Sequence, residues 1–201
     1  MLYLGLVLYG ASGALQVRSG LGLDPWDVLH QGIAAHTGLA IGTVSIVVGA
    51  VVLLGWIPLR QWPGLGTVSN VVLVGSSMTV TLALLPGSAL LPWRIAEMLG
   101  GILLCGLASG MYIGARFGPG PRDGLMTGLA RRTGRSLRLV RACIELTVLA
   151  IGWLLGGTVG VGTVLFAVSI GPLVQFFLPL LDTAASASSL PARTPEPRPE
   201  L

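Results

Sequence analysis

The chain has 201 residues, of which 53% are hydrophobic and only 10% charged. A soluble domain carries about 25% charge, so this surface is too apolar for water, which excludes an ordinary soluble domain and points to an integral membrane protein. The formal charge of +4 rests on 12 basic residues, all of them Arg; they lie between apolar stretches, where they read as a topology signal and not as a nucleic-acid footprint.

Six apolar stretches, near 1–17, 40–58, 67–86, 95–115, 138–156 and 161–181, are long enough to cross a bilayer. None alternates with period two, so all six are read as helices. The first begins at Met1 with neither a basic flank nor a small-x-small site, so it does not read as a removable signal peptide. After it, residues 20–38 carry Gly-Leu-Gly-Leu-Asp-Pro-Trp-Asp. Gly and Pro break the span, Pro25 starts a new helix, and Asp27 falls in its first turn near the positive end of the dipole. That helix runs about three turns to a Gly38 C-cap, too short to span. It either lies in the interface or dips in as a re-entrant helix. Next comes a short loop from Arg60 to Gly66, then Gly-x-Gly-Thr-Val, in which Thr67 can cap the third span.

The second half repeats the first at an offset of 96: Gly22/Gly118, Pro25/Pro121, Asp27/Asp123, Gly32/Gly128, Thr37/Thr133 and Gly38/Gly134 fall in register. So do Gly64/Gly160, Gly66/Gly162 and Thr67/Thr163. Each copy holds three spans, an odd number, so the second copy enters the membrane from the opposite side. The expected fold is therefore all-α: six transmembrane helices as two inverted three-helix repeats, 1–88 and 92–181, each with a short interfacial or re-entrant Pro-x-Asp helix. The first Pro-x-Asp segment is expected at the outer face and the second at the cytoplasmic face. The Ala/Ser- then Pro-rich tail, 182–201, has little to bury and is expected to be disordered in the cytoplasm. Arginine sets the orientation: with the segment 116–141 in the cytoplasm, only Arg18 and Arg94 remain outside, and both termini are cytoplasmic.

Candidate functional residues cluster in the duplicated segment. Asp27 and Asp123 suit helix capping at the membrane edge, or a pair of symmetry-related acidic gates or ion sites. His30, Gln31 and Thr127 accompany them, and His30 belongs to the residue type that titrates near neutral pH. Trp26 stands where the second copy has Arg122 and reads as an interfacial anchor. In the fifth span Glu145 lies four residues after Arg141; it is either half of an interfacial ion pair or an acid facing a cavity. Glu97 suits a pair with Arg94. Arg122, Arg131, Arg132, Arg135 and Arg138 form a basic face able to hold a partner or anionic lipid headgroups. Cys105 and Cys143 lie in apolar spans without metal-ligand spacing, and Gly-x-Gly-Thr lacks the Lys of a phosphate loop. No metal, cofactor or catalytic constellation is expected, so the chain does not read as an enzyme.

Gly-Leu-Asp-Pro-Trp-Asp-Val-Leu-His-Gln-Gly, then Thr-Gly-Leu-Ala-Ile-Gly-Thr-Val-Ser, then Gly-Pro-Gly-Pro-Arg-Asp-Gly-Leu-Met-Thr-Gly-Leu resemble the YczE-like bacterial membrane proteins of the YczE/YyaS/YitT group. The resemblance runs to about Leu181 and implies an integral membrane protein, with no established substrate to carry over. The chain reads first as a small secondary transporter of the bacterial inner membrane, compatible with a homodimer, moving a small molecule or ion between its halves. The alternative is a membrane-embedded regulatory or scaffold protein acting through its arginine face.

Overall fold

The computed structural model describes residues 1–87 and 90–182. Ser88, Ala89 and, past Asp182, the tail expected to be disordered lie outside the described residues. Among those described there are eight helices and no strand: α1 (Leu2–Ser19), α2 (Pro25–Thr37), α3 (Ile41–Leu54), α4 (Leu65–Leu84), α5 (Leu91–Gly114), α6 (Pro121–Thr133), α7 (Leu137–Leu154) and α8 (Val161–Leu181). The helices α6, α7 and α8 begin at 121, 137 and 161, each 96 residues after α2, α3 and α4 at 25, 41 and 65. Helix boundaries thus follow the sequence repeat. Three helices, α4, α5 and α8, are long and apolar enough to cross a membrane, and α2 with α3, bent by 113° at a short break, pass the same measure as one broken span. α8 leaves Val164, Val168, Phe176 and Leu180 exposed, an apolar surface that suits lipid.

At the centre α1 packs along α5, with α4 against α1 and α8 against α5. Small residues let these backbones approach: Gly5 of α1 faces Ala108 and Met111 of α5, Gly101 of α5 faces Ser12 and Gln16 of α1, and Gly10 of α1 faces Val74 and Ser77 of α4.

The outer elements cross between the halves. α2 packs on α7, and α3 on α6. Trp56, just after α3 and 1% exposed, packs against Gly124 of α6 and donates from Nε1 to the Pro121 carbonyl at 3.0 Å. The mirror contact sets Val28 and Leu29 of α2 against Gly152 of α7. The repeat therefore keeps the contact and exchanges which partner is large: Trp56 with Gly124 in one copy, Gly152 with Val28 in the other.

Each Gly-x-Gly-Thr segment also docks on the other half. Gly66 N–H donates to the Phe117 carbonyl at 2.9 Å, and its counterpart Gly162 N–H donates to the Leu21 carbonyl at 2.8 Å. The receiving backbones turn at Gly22 (φ 123°) and Gly118 (φ 115°), where a side chain would collide with Thr163 or Thr67. The threonines cap their helices from the third helical position: Thr67 Oγ1 accepts from Gly64 N–H at 3.2 Å and donates to the Pro119 carbonyl at 2.7 Å, while Thr163 Oγ1 accepts from Gly160 N–H at 3.3 Å. The motif is thus both a helix start and the joint between halves.

Candidate functional site

The Pro-x-Asp segments form helices with the expected bounds and left-handed caps at Gly38 and Gly134. α2 is buried from Pro25 to Trp26, Asp27 and Val28 and becomes exposed only near Thr37; α6 likewise starts buried at Pro121 and ends exposed at Arg131 to Thr133. Both short helices therefore dip into the molecule, and their first turns meet there. Asp24 and Asp27 at the start of α2 and Arg122 and Asp123 at the start of α6 form one interior centre.

Asp24, which the sequence reading passed over, organises this centre. It is the N-cap of α2: its Oδ1 accepts from Trp26 N–H at 2.9 Å and Asp27 N–H at 3.1 Å. The sequence held a signal for it, because an Asp immediately before a helix-starting Pro is an N-cap pattern. Asp27 Oδ1 lies 2.9 Å from His30 Nδ1, one turn on, and His30 is 1% exposed. From the other half Arg122 reaches across, with Nη1 3.6 Å from Asp24 Oδ1 and Nη2 3.8 Å from Asp27 Oδ1. Its guanidinium carbon sits 5.0 Å from the Trp26 ring centroid, a cation–π contact. Arg122 thus belongs to the interior and not to the surface arginine group, and Trp26 is a buried platform, not an exposed anchor. The repeat alignment places Trp26 opposite Arg122 in sequence; in space they touch.

Asp123 is oriented by α5: Tyr112 donates to its Oδ2 at 2.8 Å, and Tyr112 stacks edge-on against Tyr9 with centroids 5.9 Å apart. Asp24, His30, Arg122 and Asp123 line one cavity of about 280 Å³. Asn70, Ser109 and Gln175 add neutral polar groups to its wall. Arg141 and Glu145 also line it, joined at 2.8 Å between Nε and Oε1. Glu145 is thus ion-paired and among the lining residues, but half-buried, with 31% of its side chain exposed. Trp26, another lining residue, holds a buried indole N–H with no acceptor among the described residues.

Gln31 and Thr127 lie elsewhere. Gln31 Oε1 accepts from Thr158 N–H at 2.6 Å, tying α2 to the turn before α8, and Thr127 donates to the Gly124 carbonyl at 3.1 Å within α6. Arg94 donates to the Ser19 and Gly20 carbonyls at the end of α1 and makes no pair with Glu97. Arg131 and Arg132 line a separate cleft, while Arg135 and Arg138 are exposed.

Fold and centre together define a helical membrane-type protein whose two similar halves share one buried charge cluster. The chain belongs to a family of unknown function, DUF6198, which matches residues 1–179. It is 43% identical over 181 residues to an uncharacterized protein of Haemophilus influenzae, covering 90% of this chain and 83% of that protein. It is 35% identical over 181 residues to the uncharacterized membrane protein YczE of Bacillus subtilis, covering 88% and 83%. It is also 23% identical over 183 residues to the uncharacterized protein YyaS of the same species, covering 89% and 91%. The YczE-like resemblance read from the Pro-x-Asp segments is therefore correct. No solved structure matches the chain.

Proposed function

We propose that this chain is a small secondary transporter or permease of the bacterial inner membrane, built from two inverted three-helix repeats with the pathway between them. Six spans, with both termini in the cytoplasm and a homodimer as the working assembly, complete the reading. One observation carries it: the first turns of α2 and α6, one from each half, meet at a cavity holding Asp24, His30, Arg122 and Asp123. Broken helices whose N-terminal ends converge near the midplane, at a repeat interface, are the usual substrate and ion sites of such transporters. Charges in that setting are costly and are kept for a task. The unmatched indole N–H of Trp26 adds a donor for a small polar solute.

Asymmetry between the halves supports a cavity open on one side. α3 and α4 close against each other through Gly42 and Gly75, whose backbones are in contact. The corresponding residues are Arg138 and Gly171, and α7 forms no such seam with α8. A side chain at Gly171 would meet nothing within 4 Å. A carrier resting in one of two related conformations has this look, with one seam shut and its counterpart parted.

The test is flux of a panel of protons, alkali ions and small polar solutes in proteoliposomes. Wild type is expected to move at least one, and Asp27→Asn and Asp123→Asn to cut that flux by at least about tenfold, the effect of roughly 1.4 kcal/mol. Flux that survives both substitutions contradicts a pathway through this centre. The scaffold reading is favoured by a different feature, the exposed Arg135 and Arg138 beside Arg131 and Arg132. It gains if no flux is found and the arginine face retains a protein partner.

A further inference from the structure

A second cleft lies apart from the central cavity, between the turn after α3 and the last turn of α6. Arg60, Gln61 and Trp62 form one wall, and Arg131 and Arg132 the other. No carboxylate lines it, and among the described residues none of the three arginines is paired with one. Arg132 Nη1 donates to the Pro58 carbonyl, which holds the two walls together. Gln61 Nε2 is buried and has no acceptor among the described residues.

Helix-dipole complementarity accounts for Arg131 and Arg132 in the last turn of α6. It does not account for Arg60, which is held at φ 53°. The equivalent residue in the second repeat is Gly156, at φ 86°. The same left-handed turn thus exists twice, and where the second copy uses the residue suited to it, the first holds a strained arginine. Strain kept at such a position is a pointer to function. Beside the cleft Trp62 is 91% exposed and Ile57 71% exposed. An indole and an aliphatic side chain bare at the edge of an arginine-rich cleft fit the headgroup level of a bilayer, where the aromatic ring sits among headgroups and the aliphatic chain faces acyl tails.

We infer that this cleft binds the phosphate of an anionic membrane lipid, with Arg60, Arg131 and Arg132 as the charged ligands, Gln61 as a further donor, and Trp62 against the glycerol and upper acyl region. Guanidinium forks match phosphate oxygens geometrically. The inference rests on the membrane reading and not on transport, so the flux test stands or falls separately.

Native mass spectrometry of the full chain, released from detergent and titrated with phosphatidylglycerol or phosphatidylcholine, tests it. Wild type is expected to retain phosphatidylglycerol at about tenfold lower lipid concentration than phosphatidylcholine, the order expected for several arginines at an anionic surface. Arg60→Gly fits the turn without strain, so it is expected to keep or raise the melting temperature while losing the preference. The pair Arg131→Gln with Arg132→Gln is expected to lose it too. Arg116→Gly, which removes another left-handed arginine outside the cleft, keeps it. Equal retention of both lipids by wild type overturns the proposal, as does a preference untouched in Arg60→Gly and in the double variant. Displacement of the retained lipid by millimolar inorganic phosphate overturns the lipid as the source and assigns the cleft to free phosphate.

Discussion

Arg122 sits where two carboxylates and an indole face converge, so removing it strands buried charge. Asp24 and Asp27 have side-chain exposures of only 7% and 8%, and the Arg122 side chain 21%. Breaking such a group by deleting one partner costs about 3 kcal/mol or more, because the carboxylates left behind are buried and have lost their cation. Arg122→Gln is therefore expected to lower stability by about 3 kcal/mol in detergent unfolding, and Arg122→Gln combined with Asp24→Asn by clearly less. Equal losses in the single and double variants contradict the pairing. At this scale the sequence was half legible. Asp27, Asp123 and His30 stood out as polar residues in a broken helix, but Arg122 was grouped with its basic neighbours because linear proximity says nothing about which way a side chain turns. Trp26 misled for the same reason: an indole at a span edge resembles an anchor until a partner from the other half covers it.

The short helices α2 and α6 owe their place to what they pack against. Gly124 leaves no room between α6 and the Trp56 ring, so a methyl group there collides with the indole. Gly124→Ala is expected to destabilise by about 1–3 kcal/mol, the usual cost of overpacking, and Trp56→Leu to recover part of it. An unchanged midpoint of denaturant unfolding for Gly124→Ala contradicts this contact. Element positions were well legible, because Pro at the first turn, Gly at the C-cap and the offset of 96 each mark a boundary independently. The depth of the two short helices was not. A three-turn amphipathic segment bounded by Gly and Pro has the same pattern whether it floats in the interface or dips into the protein, and only cross-packing of α2 with α7 and of α3 with α6 decides it. The large-for-small exchange between Trp56 with Gly124 and Val28 with Gly152 was hidden for a related reason: the repeat conserves the joint while swapping which side fills it.

For the whole molecule, the two halves are joined at equivalent points: Gly66 on Phe117, Gly162 on Leu21, and the charged centre between them. Under the proposed transport reading, such paired joints would be the points about which one half moves on the other. The meeting of α2 and α6 is tested most directly by crosslinking Asp24→Cys to Arg122→Cys in a Cys143→Ser background, with Cys105 left buried. A short bifunctional thiol reagent is expected to join the two within one chain, read out as a linked peptide pair by mass spectrometry. If the two segments instead lay at opposite membrane faces, about 30 Å would separate them. Each single cysteine would then label with a monofunctional reagent while no linked pair formed, and that result would contradict the shared centre.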